Sequence, residues 1–139
     1  MVDIILAPDV FVNASVAPGT APDRVVQRVL GQHKGESRAS EWVFARIESM
    51  LRAMPQFRDE AVAQQLKLIR SLVKSVPGVD GFDAEDWDQA LSATAKAAGV
   101  GRVVTDHPDL LRIESRDGIE FISSENWLLE ATTPPPIPT

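Results

Sequence analysis

The segment at positions 86–111 constrains the fold more than any other part of the chain. It opens with acidic residues at the expected start of a helix, runs through several alanines to Gly99, and continues as a short apolar stretch that ends at Thr105. Glycine commonly ends a helix because it adopts the left-handed conformation without strain. Asp106 and Asp109 follow directly. The pattern predicts a helix and then a buried strand whose carboxyl end carries carboxylates.

Alternating helical and extended patterns continue along the rest of the chain. Strands are predicted at 2–6, 102–105 and 119–122, with weaker candidates at 32–39 and 77–81. Helices are predicted at 22–30 (stopped by Gly31), 40–54, 59–74, 83–98, 108–111 and 125–129. Helices that alternate with apolar strands favour a parallel sheet covered on both faces. We therefore predict an α/β fold with three layers, α/β/α, and a mostly parallel sheet of four or five strands.

The length and the proline content indicate how the chain is divided. A chain of 139 residues suits one domain. We assign positions 1–130 to that domain. Positions 131–139 contain four prolines, and we expect this proline-rich tail to be extended and disordered.

Composition excludes several classes of protein. No apolar run approaches the roughly 20 residues of a membrane-spanning helix, so we expect no membrane partner. The chain has no cysteine, which excludes a disulfide framework and a thiolate metal site. A net charge of −6 argues against a broad basic surface for nucleic acid. These features favour a cytoplasmic protein.

Carboxylates are expected to meet at one edge of the predicted sheet. Asp9 follows the first strand, Asp88 lies in the first turn of the helix before the strand at 102–105, and Asp106 and Asp109 follow that strand. Ligand sites in open α/β sheets form at the carboxyl ends of the strands. Converging carboxylates bind Mg²⁺ or Mn²⁺.

Five short segments suggest a family. They are DVFVNAS at 9–15, SEWVFARIESML at 40–51, DQALSATAKAAGVGRVVT at 88–105, GIEFI at 118–122 and WLL at 127–129. In this order and spacing the chain resembles the PIN-domain proteins, specifically the branch of toxin components from toxin–antitoxin systems. The resemblance covers about residues 2–130.

The resemblance implies a function and a set of site residues. PIN domains are typically metal-dependent ribonucleases in which Mg²⁺ or Mn²⁺ activates water for attack on phosphate. It implies Asp9, Asp88 and Asp109 as catalytic acids and metal ligands. Asp106, which flanks His107, is added as a fourth metal ligand because it could supply a carboxylate from the same loop. RNA is then the substrate and an antitoxin or another protein the partner. A homodimer is also implied, with Phe44 and Leu51 at its surface.

Several positions depart from the family pattern. Arg46 stands where the family has a glutamate, and His107 where it has another acid. Val10 and Phe11 replace polar residues next to Asp9. A buried cation must be paired, so we hypothesise an ion pair of Arg46 with Asp9 or Asp88; the alternative is a solvated arginine at the helix edge.

The roles of the loop residues also stay open. His107 is either a ligand for Mn²⁺ or an exposed loop residue, and Asp106 and Asp109 are either ligands or helix caps. Two functions follow from these alternatives. One is a Mg²⁺- or Mn²⁺-dependent endoribonuclease whose catalysis is weakened. The other is a degenerate PIN-like protein without catalysis that binds protein or RNA.

Overall fold

A computed structural model describes residues 4–32 and 36–132. Its elements in chain order are β1 (Ile4–Leu6), α1 (Pro8–Val16), α2 (Ala21–Gln32), β2 (Arg38–Ala39), α3 (Glu41–Arg52), α4 (Asp59–Leu72), β3 (Lys74–Ser75), α5 (Trp87–Ala98), β4 (Arg102–Val104), α6 (Pro108–Ile113), β5 (Ser115–Arg116), β6 (Ile119–Ile122) and α7 (Ser124–Thr132).

The central sheet has the strand order β1-β4-β6-β5. Its first three strands are parallel, and β5 joins β6 as an antiparallel hairpin. Leu6 pairs with Val104, and Val104 with Ile122. The three parallel strands therefore end level with one another, at what we call the carboxyl edge. A separate parallel pair is formed by β2 and β3.

The sheet is buried because helices cover it. Ile4, Ile5 and Leu6 are each at most 2% exposed, as expected for a strand covered on both faces. Helix α5 packs on β1 and β4, whereas α1 packs on α2 and α3, and α7 packs on α2. The predicted three-layer α/β/α fold with a mostly parallel four-stranded sheet is confirmed.

Helix α1 forms in a segment for which the sequence analysis predicted no element. The run that follows β1 is rich in valine and phenylalanine, and these residues suit strands. The structure instead forms a helix at once, with Pro8 at its first position, where a missing N–H costs nothing. Val10, Phe11 and Val12 are all buried in the core, so tertiary packing outweighs their strand preference.

Smaller differences concern element ends and short strands. Helix α2 continues through Gly31 to Gln32, so the predicted stop at Gly31 is wrong. The edge strand β3 precedes the segment at 77–81, and β5 was not predicted. Helix α7 extends to Thr132, two residues past the predicted domain boundary at 130. The rest of the predicted tail, 133–139, and the first residues of the predicted strand at 2–6 lie outside the described residues.

None of the helices formed within 4–32 and 36–132 combines the length and the apolar character needed to cross a bilayer.

Candidate functional site

Asp9 is the buried acid of the carboxyl edge. It lies in the first turn of α1 and is only 7% exposed. Its Oδ1 accepts a hydrogen bond of 2.9 Å from the Thr105 hydroxyl, and its Oδ2 accepts one of 2.7 Å from the backbone N–H of Asp106. Burial raises the pKa of the Asp9 carboxyl, although both hydrogen bonds oppose the shift. Asp9 thus ties the end of β1 to the end of β4.

Asp106 also lies at this edge, but its carboxylate points to a helix. Its Oδ1 accepts from the backbone N–H of Ser124 at 2.9 Å, and its Oδ2 accepts from the Ser124 hydroxyl at 2.6 Å. Ser124 is the first residue of α7. A carboxylate in this position satisfies an N–H group that has no partner within the helix. The carboxylate of Asp106 therefore links the end of β4 to the start of α7.

His107 likewise serves a helix end. It is the N-cap of α6, and its Nδ1 accepts a hydrogen bond of 3.2 Å from the backbone N–H of Asp109. Its own backbone N–H donates to the Thr105 hydroxyl at 3.1 Å. The ring packs against Trp87, with centroids 5.0 Å apart. This contact brings the start of α5 beside the loop after β4.

Asp88 follows Trp87 and is paired with a cation. Its Oδ2 lies 2.8 Å from Nη1 of Arg116 on β5. Asp109 is exposed, and its Oδ1 lies 3.3 Å from Nη1 of Arg112 one helical turn later. The two acids are therefore engaged by different arginines.

Arg46 does not form the hypothesised ion pair. Among the described residues no ion pair includes it, its Nε is buried without a hydrogen-bond partner, and the side chain is partly exposed. The guanidinium that neutralises Asp88 belongs to Arg116, so the prediction of an Arg46–Asp9 or Arg46–Asp88 pair is wrong. The donors that Asp9 requires come from Thr105 and the Asp106 backbone instead.

The acids of the edge are hydrogen-bonded within the protein. Asp9 and Asp106 each accept two hydrogen bonds, and Asp88 binds a guanidinium. Each carboxylate oxygen has two lone pairs, so these bonds leave acceptor capacity on all three side chains. Within residues 4–32 and 36–132, no three acidic or histidine side chains are grouped as a metal site.

The two residues expected at a dimer surface are buried in the core of the protomer. Phe44 and Leu51 are at most 1% exposed, and the guanidinium carbon of Arg70 lies 4.3 Å from the centre of the Phe44 ring. The two side chains belong to the protomer core because they lie on the buried face of α3. The prediction that they form a dimer surface is wrong.

An open apolar groove lies on another face of the domain, between α1, α2 and α4. Its volume is about 410 Å³. Phe11, Val26, Leu30 and Ile69 line it, together with Leu68, which is 53% exposed. We call this the α1–α2–α4 groove.

Sequence reasoning missed three residues that shape the edge: Thr105 as a hydrogen-bond donor, Ser124 as the partner of Asp106, and Arg116 as the partner of Asp88. For Arg116, the local sequence shows only that the residue immediately precedes the Asp117-Gly118 turn. None of the three has a spacing that identifies its partner.

Comparison with known proteins does not extend the resemblance described above. No family model matches the chain, and a search of curated proteins finds none that is similar to it.

Proposed function

We propose that this chain is a degenerate PIN-like domain that does not cleave RNA and acts by binding a protein partner. The observation that carries the proposal is the pairing of Asp88 with Arg116 at 2.8 Å. The helical acid expected to hold Mg²⁺ or Mn²⁺ is neutralised by a guanidinium, and Arg46 adds a cation at a position where the family has a ligand. Both carboxylate oxygens of Asp106 accept hydrogen bonds from Ser124, the first residue of α7.

The α1–α2–α4 groove is the surface that we assign to the partner. Exposed apolar patches with polar borders are typical of protein interaction sites. The net charge of −6 favours a partner with basic residues beside its apolar ones, because complementary charge speeds association. The same charge makes RNA the less suitable ligand. An antitoxin-like protein in the cytoplasm, as expected from the resemblance, would be one partner of this class.

Calorimetric titration with Mn²⁺ and an RNA cleavage assay test the loss of catalysis. The wild-type chain and Asp88→Asn are compared in both experiments. We expect neither protein to cleave RNA in a metal-dependent way. Cleavage by the wild-type chain that requires Mn²⁺ and disappears in Asp88→Asn would overturn the proposal.

Arg46→Glu tests whether the substitution at position 46 removes metal binding. Arg24→Glu is the matched control, because it changes the net charge equally at an exposed site on α2. We expect Arg46→Glu to bind Mn²⁺ more tightly than Arg24→Glu does. Equal affinities would show that position 46 does not limit metal binding.

A displayed random-peptide library tests the groove. Peptides selected on the wild-type chain are expected to combine apolar and basic residues and to lose binding to Leu68→Glu. Leu129→Glu adds the same charge at another exposed leucine and should leave binding intact. If no peptide is enriched, or if the peptides bind Leu68→Glu equally well, the groove is not the binding surface.

An active Mg²⁺- or Mn²⁺-dependent endoribonuclease is the second candidate. One observation favours it: Asp9 and Asp106 come from neighbouring strand ends and are joined by a hydrogen bond of 2.7 Å. Two acids at one edge of a parallel sheet are a starting point for such a site. The cleavage assay with Asp88→Asn separates the two candidates.

A further inference from the structure

A second cavity, separate from the α1–α2–α4 groove, lies between α5 and the hairpin of β5 and β6. Its volume is about 280 Å³, which suits a small molecule rather than a peptide. The residues that line it include Phe82, Gln89, Ser92, Lys96, Arg116 and Asp117. Most of these side chains carry hydrogen-bond donors.

Two of the lining residues have polar atoms without partners. The Ser92 hydroxyl is buried in a residue only 2% exposed, and it has no hydrogen bond within the described chain. The Nε of Arg116 is also buried and without a hydrogen bond. Most buried polar groups in proteins are hydrogen-bonded. Two such exceptions beside one cavity indicate a ligand that carries acceptor oxygens.

Within the described chain, one side of the Arg116 guanidinium forms a hydrogen bond, and Nε on the other side forms none. Nη1 donates to Asp88 at 2.8 Å. The opposite side presents the N–H of Nε beside an N–H of Nη2. Two parallel N–H groups of this kind match the two oxygens of a carboxylate.

The carboxylate of Asp117 lies near both cations of the cavity but is hydrogen-bonded to neither. Its Oδ2 lies 3.9 Å from Nε of Arg116 and also 3.9 Å from Nζ of Lys96. Both distances are too long for a hydrogen bond. The side chain of Asp117 is 61% exposed, so it is able to turn away when another carboxylate binds.

We propose that this cavity binds a small monocarboxylate with an apolar group. Its carboxylate receives hydrogen bonds from Arg116, Lys96 and Ser92, and its apolar part packs against Phe82. When Asp117 has turned away, Arg116 and Lys96 opposite Asp88 leave one net positive charge. A monocarboxylate neutralises this charge, whereas a phosphate dianion exceeds it. The proposal is independent of the function assigned to the groove.

Titration of ¹⁵N-labelled protein with benzoate, followed by amide NMR shifts, tests this site. We expect saturable shifts confined to α5 and the turn at 117–118, and weaker binding of inorganic phosphate. Arg116→Lys keeps the charge but removes the paired N–H groups, so its Kd for benzoate should rise about tenfold. Asp117→Asn should lower the Kd about fivefold by removing a competing charge. Arg112→Lys, an exposed residue outside the cavity, should leave the Kd unchanged.

The same spectra show whether each variant is folded, and Ser92→Ala provides a second variant that leaves both cations in place. We expect this variant to bind benzoate several-fold more weakly. Shifts that do not saturate, equal affinity of the wild-type chain and Arg116→Lys, or tighter binding of phosphate than of benzoate would each overturn the proposal.

Discussion

Nη1 of Arg116 lies 2.8 Å from Oδ2 of Asp88, and this contact joins the first turn of α5 to the short strand β5. An acid near a helix N-terminus is already favoured by the helix dipole. The arginine adds a charge-assisted hydrogen bond from a segment 28 residues away along the chain. Asp88 therefore has a charged partner within the fold.

A double-mutant cycle with Asp88→Asn and Arg116→Met measures this pair. The side chains are 24% and 39% exposed, so solvent screens the interaction, and we expect a coupling of about 0.5–1 kcal/mol in the free energy of unfolding by urea. The exposed pair of Asp109 and Arg112 is the control, with an expected coupling near zero. Equal coupling in the two cycles would contradict the structural role of Asp88.

Asp9 should make the stability of the protein depend on pH. Burial raises the pKa of its carboxyl in the folded state above the ordinary value of 3.8. As the pH rises from 3.8 to that raised pKa, the unfolded chain loses this proton more readily than the folded chain. The contribution of Asp9 to the free energy of unfolding therefore falls across this window and is constant above it.

Asp9→Asn isolates this effect, because the amide keeps the shape of the carboxyl but does not titrate. The stability of the variant relative to the wild-type chain should rise as the pH increases through the window. Urea unfolding at a series of pH values measures the difference. A relative stability that falls with pH would mean that the folded pKa is lowered.

Removing the carboxylate of Asp106 should loosen α7. Asp106→Ala leaves the N–H and the hydroxyl of Ser124 without their acceptor, and caps of this kind contribute about 1–2 kcal/mol. We expect that loss in the free energy of unfolding, together with faster hydrogen exchange along α7. Asp109→Ala, at an exposed site, should change stability by no more than about 0.5 kcal/mol. Unchanged exchange in α7 would argue against the capping role.

Replacing Arg46 with an apolar side chain should not weaken the fold. Its Nε is buried without a hydrogen bond, and an unsatisfied buried donor costs about 1–3 kcal/mol. We expect Arg46→Met to unfold at the same urea concentration as the wild-type chain or at a higher one. Arg112→Met serves as the exposed control. A loss of stability above about 1 kcal/mol would indicate a partner for Arg46 in solution.

Local features of the sequence predicted several elements correctly because a few neighbouring residues decide them. A helix was expected to begin at position 40, and the Ser40 hydroxyl caps α3 by accepting a hydrogen bond from the backbone N–H of Val43. Gly99 was expected to end one, and it adopts a left-handed φ of 75°. The apolar stretch before Thr105 was expected as a strand and forms β4. Capping and hydrophobic periodicity act within about one turn of helix or one strand.

At the carboxyl edge, Asp9 and Asp106 are joined by a hydrogen bond that involves the backbone N–H of Asp106. The partners of the other acids depend on how distant segments pack. Asp9 meets Thr105 across 96 positions, and Asp106 meets Ser124 across 18. Local sequence patterns carry no information about contacts between residues so far apart in the chain. A carboxylate followed by a turn is equally suited to a metal ion, a helix cap or an arginine.

The sequence by itself therefore determined the α/β class, most helix and strand positions, and the placement of acids after strands. Only the tertiary structure decided that Pro8–Val16 is a helix, and that Arg116 and Ser124 engage the acids expected to bind metal. The physical reason is the distance along the chain over which each kind of interaction acts. Backbone preferences act between neighbours in sequence, whereas the role of a charged side chain is set by whichever group the fold places within about 3 Å of it.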